Sequence, residues 1–213
     1  MSDALDPARP AILSYASRNG RRELVGVAFA IPLGPGDAPP AEPFGVDVWH
    51  DHTGAVDEEL LLLNHPSTMH GKGTGHRLAV VHVWTGVENP AGLLTQNNWA
   101  LPFWRHGLDA PDPLSSIAAR GASLASDGGA FYRDLVHRVA DLTPPEAAAV
   151  DEALAGAAEA ARHAIERYRA DPSLPVDQIQ FEAIWAALWE AIRDAVDPEK
   201  WIAISKLSGA EGR

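Results

Sequence analysis

At 213 residues, with 46% apolar and 22% charged residues, the chain has the composition of a globular protein and the length to bury a sizeable core. It has no cysteine, which excludes disulfides, thiolate catalysis, iron–sulfur clusters and Cys-type zinc sites. A formal net charge of −12 opposes binding to a phosphate backbone, so nucleic acid is not an expected partner.

The first strong local signal is a β-hairpin over residues 11 to 31. Ile12 to Tyr15 and Leu24 to Ile31 flank Arg18-Asn19-Gly20-Arg21, and Asn-Gly supplies the two positive φ angles of a type I′ turn. Val25, Val27, Phe29 and Ile31 alternate with Leu24, Gly26, Ala28 and Ala30, so both faces of the second strand are apolar and a central position is predicted. Pro32 to Pro43 reads as a surface connection, because proline lacks the ladder N–H. A third strand is predicted over Phe44 to His52 and a fourth over Arg77 to Val87, with Leu78, Val80, His82 and Trp84 sharing a face. Asn89-Pro90-Ala91-Gly92 fits a type I turn. The aromatic stretch Asn97 to Trp104 has no clear period and its structure stays open.

Beyond it the period changes to 3.6. Helix starts are predicted at Asp112-Pro113, Asp127, Thr143-Pro144-Pro145-Glu146 and Asp177, the third with the spacing of a capping box. Val150, Leu154, Ala157, Ala161, Ile165 and Tyr168 form one stripe, ended by Asp171-Pro172; Phe181, Ile184, Trp185, Leu188, Ile192 and Val196 form another. Two such helices joined by a short loop are expected to pack as an antiparallel hairpin, with alanines of the first leaving room for Trp185 and Trp189. The fold class expected is therefore α+β: an antiparallel, sheet-rich N-terminal half (1–108) followed by an acidic helical region (109–213), integrated into one domain. From Asp141 onward there are 14 acidic against 7 basic residues, which reads as a solvated helix surface.

The sharpest anomaly is histidine. Seven of nine lie between His50 and His106, and six of those between His50 and His82. On a strand, His50 and His52 point to the same side, and His82 falls within the next predicted strand on an otherwise apolar face. The first functional expectation is thus a mononuclear metal site with His50, His52 and His82 as ligands, Asp57 or Glu58 assisting, and Trp49 and Trp84 shielding it. The implied cofactor is one divalent ion (Zn, Fe, Mn, Ni or Cu), with no nucleotide and no iron–sulfur cluster, and an open position would allow metal-dependent catalysis. His65, His70 and His76, around Gly71-Lys72-Gly73-Thr74-Gly75, read as a loop that departs from the Walker order, because a strand rather than a helix follows. His163 and Glu166, one turn apart on a helix, read as an exposed face.

Two alternatives stand beside the metal reading. One is a non-catalytic homo-oligomeric scaffold or interaction protein whose Trp-lined helical hairpin packs against its own copy. The other is a small-molecule binder with an aromatic pocket of Trp84, Trp99, Phe103 and Trp104. The first 30 residues lack the order of a secretory signal and no apolar run approaches the roughly 20 residues that cross a bilayer, so a cytoplasmic protein without membrane contact is expected.

Ile12-Leu13-Ser14-Tyr15, Gly20-Arg21, Leu24-Val25-Gly26-Val27 with Pro32, Pro43-Phe44-Gly45, His82-Val83-Trp84 and Asn89-Pro90-Ala91-Gly92 follow one another in order. Over residues 10 to 95 this pattern resembles an uncharacterised bacterial family, a domain of unknown function. The resemblance implies a strand-rich front half and no activity or site residue.

Overall fold

The computed structural model describes residues 6, 8–34, 36–52 and 77–208. The chain divides into two compact units, Met1–Asn98 and Trp99–Arg213. The first is built on a four-stranded sheet and the second is helical, which is the predicted α+β class.

In the N-terminal unit, β1 (Ile12–Arg18) and β2 (Arg21–Leu33) form the expected hairpin. Asn19 (φ 52°) and Gly20 (φ 74°) both take the left-handed region, as the type I′ turn requires. The ladder pairs Ser14 with Gly26 but Tyr15 with Leu24, so Val25 is an extra residue in β2 and its side chain turns inward. β3 (His50–His52) and β4 (Arg77–Val83) complete an antiparallel sheet in the order β1-β2-β4-β3, and β2 is central as predicted. Ala28, Phe29, Ala79, Val80 and Val81 are buried on the two faces of the middle strands.

Three sequence expectations need correction here. β2 runs on through Pro32 to Leu33; beyond Ala28 it is paired with β4 but no longer with β1, so the proline breaks no ladder on its open side. The third strand is not nine residues but three, because Val46–Val48 winds into a 3₁₀ turn. The fourth stops at Val83, where the Trp84 N–H turns to the carbonyl of Leu93 at 3.0 Å.

The C-terminal unit contains α1 (Leu101–Arg105), α2 (Ser116–Asp127), α3 (Ala130–Val139), α4 (Pro144–Ala170), α5 (Val176–Ile179), α6 (Phe181–Ala195) and α7 (Pro198–Ile204). Its centre is the mutual packing of α2, α4 and α6. The whole predicted α4 stripe is buried, and the helix stops at Ala170 before Asp171-Pro172. On α6, Phe181, Trp185, Leu188 and Ile192 are buried, giving the predicted helical hairpin with α4. Gly121 of α2 lies where a Cβ would sit 2.3 Å from the Phe181 carbonyl oxygen, so glycine is what lets α2 meet the start of α6.

Two helix starts differ from expectation. α2 begins after Ser115, whose Oγ accepts the Ala118 N–H at 3.0 Å, rather than at Asp112-Pro113. Asp177 belongs to the single turn α5, and the long helix begins after Gln180, which takes the left-handed region (φ 69°).

The α4 start is the predicted capping box, and its Glu146 does more than cap. The carboxylate accepts the Thr143 N–H (2.8 Å) and hydroxyl (2.7 Å), the Asp197 N–H (2.9 Å) and the Lys200 ammonium (2.5 Å). These contacts, led by Lys200 and then Thr143, hold its pKa down at about 2, against an ordinary 4.5. A folded-state pKa below the unfolded value contributes stability that is complete above about pH 4.5 and disappears as the pH falls through about 2. Glu146→Gln is expected to lower stability at neutral pH and to flatten acid unfolding between those limits. Superimposable acid-unfolding curves for the two proteins would contradict this.

Candidate functional site

The sheet register decides where the predicted site residues go. His50 stands opposite Val80, and His52 opposite Leu78. Residues opposite each other share a face, so His50 lies on the side of β4 that also carries Val80 and His82. The His50 and His82 rings meet edge to face with centroids 5.0 Å apart, and the Trp84 ring extends the row at 5.6 Å from His82. His82 is 6% exposed. The side chain of His52, and Asp57 and Glu58 altogether, lie outside the described residues, as do His65, His70, His76 and the run Gly71–Gly75.

This arrangement corrects the metal expectation. Among the described residues no group of three His, Asp or Glu side chains is placed to hold a metal ion, and the chain has no cysteine to add. What the clustering of histidines produces between His50 and His82 is an edge-to-face ring contact inside a row of aromatic groups. The reading as a metal-binding protein with one divalent cofactor, and as a metal-dependent enzyme, is replaced accordingly. His163 pairs with Glu159 (3.1 Å) and Glu166 (3.6 Å) on the exposed surface of α4, as expected for a solvated helix face.

Of the aromatic residues expected to form a pocket, Trp84 lies in the N-terminal unit and Trp99, Phe103 and Trp104 lie in the C-terminal one. Phe103 is fully buried there, between Tyr168 (6.1 Å) and Phe181 (5.5 Å). Trp185 and Trp189 are 3% and 5% exposed and stack edge to face with Tyr132.

An open cleft of about 590 Å³ lies between Asp47–His50 and Gly92–Gln96. Its first wall is the 3₁₀ turn and the start of edge strand β3. Trp49 is anchored there by its Nε1–H, which donates to the Pro40 carbonyl at 3.0 Å, and by Phe44, whose ring lies 6.2 Å away and itself packs on Phe29 at 5.1 Å. With the indole N–H committed, Trp49 offers the cleft carbon surface.

The second wall is the loop after β4, and its shape follows from Asn89. The predicted turn closes with Gly92 N–H donating to the Asn89 carbonyl at 2.9 Å. The Asn89 side chain, 9% exposed, accepts the Ala91 N–H (3.2 Å) and donates to Thr95 Oγ1 (2.6 Å) and the Asn97 carbonyl (3.0 Å). Trp84 Nε1–H donates to the Thr95 carbonyl at 2.7 Å, and Asn98 Nδ2 to the Val87 carbonyl at 3.0 Å. Tied from several directions, residues 92–96 form a fixed wall, on which Leu93 is 57% exposed. Sequence reasoning found the turn but not the cleft; Asp47, Leu93, Leu94, Thr95 and Gln96 carry no motif, and only the polar network behind them marks the loop.

No protein-family model matches the chain, and neither a curated protein nor a solved structure is similar to it. The site is therefore read from its own chemistry. No helix among the described residues is long and apolar enough to cross a membrane.

Proposed function

We propose that this protein binds a small organic molecule in the cleft between Asp47–His50 and Gly92–Gln96. The observation that supports it most is the pairing of a fixed apolar lining, Trp49, Leu93 and Leu94, with a few polar residues, Asp47, Thr95 and Gln96, in a space of about 590 Å³. Small-molecule sites have this character: concave, mostly apolar, sized at roughly 300–1,000 Å³, with a handful of polar groups that set orientation. The wall is also organised before a ligand arrives, because the Asn89 and Trp84 hydrogen bonds are internal to the loop. A ligand then does not have to order it, which favours affinity.

The experiment is a screen of small aromatic and aliphatic fragments by amide chemical-shift mapping on the whole chain. Binding in the cleft is expected to move the resonances of 47–50 and 92–96 and to leave the C-terminal helices unmoved. Within this reading the protein is a cytoplasmic binding protein.

A further inference from the structure

The charge of the cleft allows its ligand to be narrowed, and this step rests on the binding reading above. Among the described residues, Asp47 is the one formally charged residue lining the cleft, and no lysine or arginine joins it there. Its carboxylate makes no hydrogen bond or ion pair among the described residues, whereas Glu146 and Asp151 are each held by several donors. Asp47 sits on the 3₁₀ turn two residues before Trp49, and both line the same space.

We infer that the cleft takes a cation: a small molecule with a protonated amine or quaternary ammonium group on an apolar or aromatic body. Three features converge. The uncommitted carboxylate supplies the counter-charge, the Trp49 ring supplies the electron-rich surface that attracts a cation, and Leu93 and Leu94 supply the apolar contact for the body. A carboxylate or phosphate ligand would meet Asp47 with no cation in the described lining to offset it.

Three probes of one shape separate the possibilities: benzylamine, benzyl alcohol and benzoate, titrated at pH 7.5 into the full chain and into Asp47→Asn by amide chemical shift. Asp47 is exposed and makes no described bond, so the variant is expected to fold as the parent does, which unperturbed resonances of β1, β2 and β4 in the same unit report. The expected result is benzylamine bound roughly five-fold more tightly than benzyl alcohol at low salt, benzoate weakest, and the preference lost in Asp47→Asn. Equal binding of all three, a preference for benzoate, or a cation preference that survives Asp47→Asn would overturn the inference while leaving the cleft as a binding site. Failure of every probe, and of the wider fragment screen, to shift residues 47–50 and 92–96 would remove the binding reading itself and the inference with it.

Discussion

Gly86→Ala is expected to destabilise the N-terminal unit by about 3 kcal/mol, at the upper end of what overpacking usually costs. Gly86 follows β4 at the root of the cleft loop, and its N–H donates to the Val25 carbonyl at 3.0 Å. A Cβ there would lie 2.0 Å from the Leu24 carbonyl oxygen and 2.8 Å from the Val25 Cα. Both obstacles are backbone of the central strand, at the point where Leu24 pairs with Tyr15, so neither can yield as a flexible side chain would. Gly156, on the exposed surface of α4, is the internal contrast: a Cβ there meets nothing within 4 Å. Gly156→Ala is expected to gain about 0.5–1 kcal/mol from helix propensity alone. Denaturant titration measures both. A cost below about 0.5 kcal/mol for Gly86→Ala would mean that the loop can leave the strand freely, and the rigid-wall description would fail.

Asn89→Ala carries the second large effect, and it acts on function as well as stability. The substitution deletes two donors and one acceptor from a buried position, leaving the Ala91 N–H without its partner and the Asn97 carbonyl with only the Thr95 hydroxyl at 3.2 Å. The expected stability loss is about 2 kcal/mol, from unmade hydrogen bonds in a covered site. Residues 92–96 then lose the brace that fixes them, and a ligand must order the wall on binding. The affinity of a cleft ligand is expected to fall roughly ten-fold although Asn89 is not part of the lining, an effect of about 1.4 kcal/mol. Stability lost with affinity kept within two-fold would show that this wall contributes no binding energy.

What the sequence made legible were features with a single local physical cause. Asn19-Gly20 is read directly because few other residue pairs accept two positive φ angles, and the hairpin follows from it. Thr143 to Glu146 marks a helix start because the reciprocal bonds are built from that spacing, and the α4 and α6 stripes are legible because every 3.6-residue repeat faces the same neighbours. The features that misled were those decided by pairing across the chain. The length of β3 depends on where Val46–Val48 turns, and Pro32 stays in its strand because β1 has already ended opposite Ala28.

The site was less legible than the fold, for a related reason. Histidine density is a property of sequence, whereas ligation requires nitrogens to converge, and the register sets His50 beside His82 as an edge-to-face ring pair. Phe103 is 0% exposed in the C-terminal unit, a placement that residue type alone does not assign, because aromatic groups both line pockets and fill helical cores. The cleft itself is formed by stretches more than forty residues apart in sequence, and the shape of its second wall rests on backbone and amide hydrogen bonds that leave no trace in residue type.

Amide chemical-shift mapping of the isotopically labelled full chain decides whether the cleft is a ligand site. At least one fragment is expected to give saturable shifts on Asp47–His50 and Gly92–Gln96 that fade together in Asn89→Ala. A screen in which no fragment moves those residues, or in which every saturable shift falls on the helical unit, would contradict it.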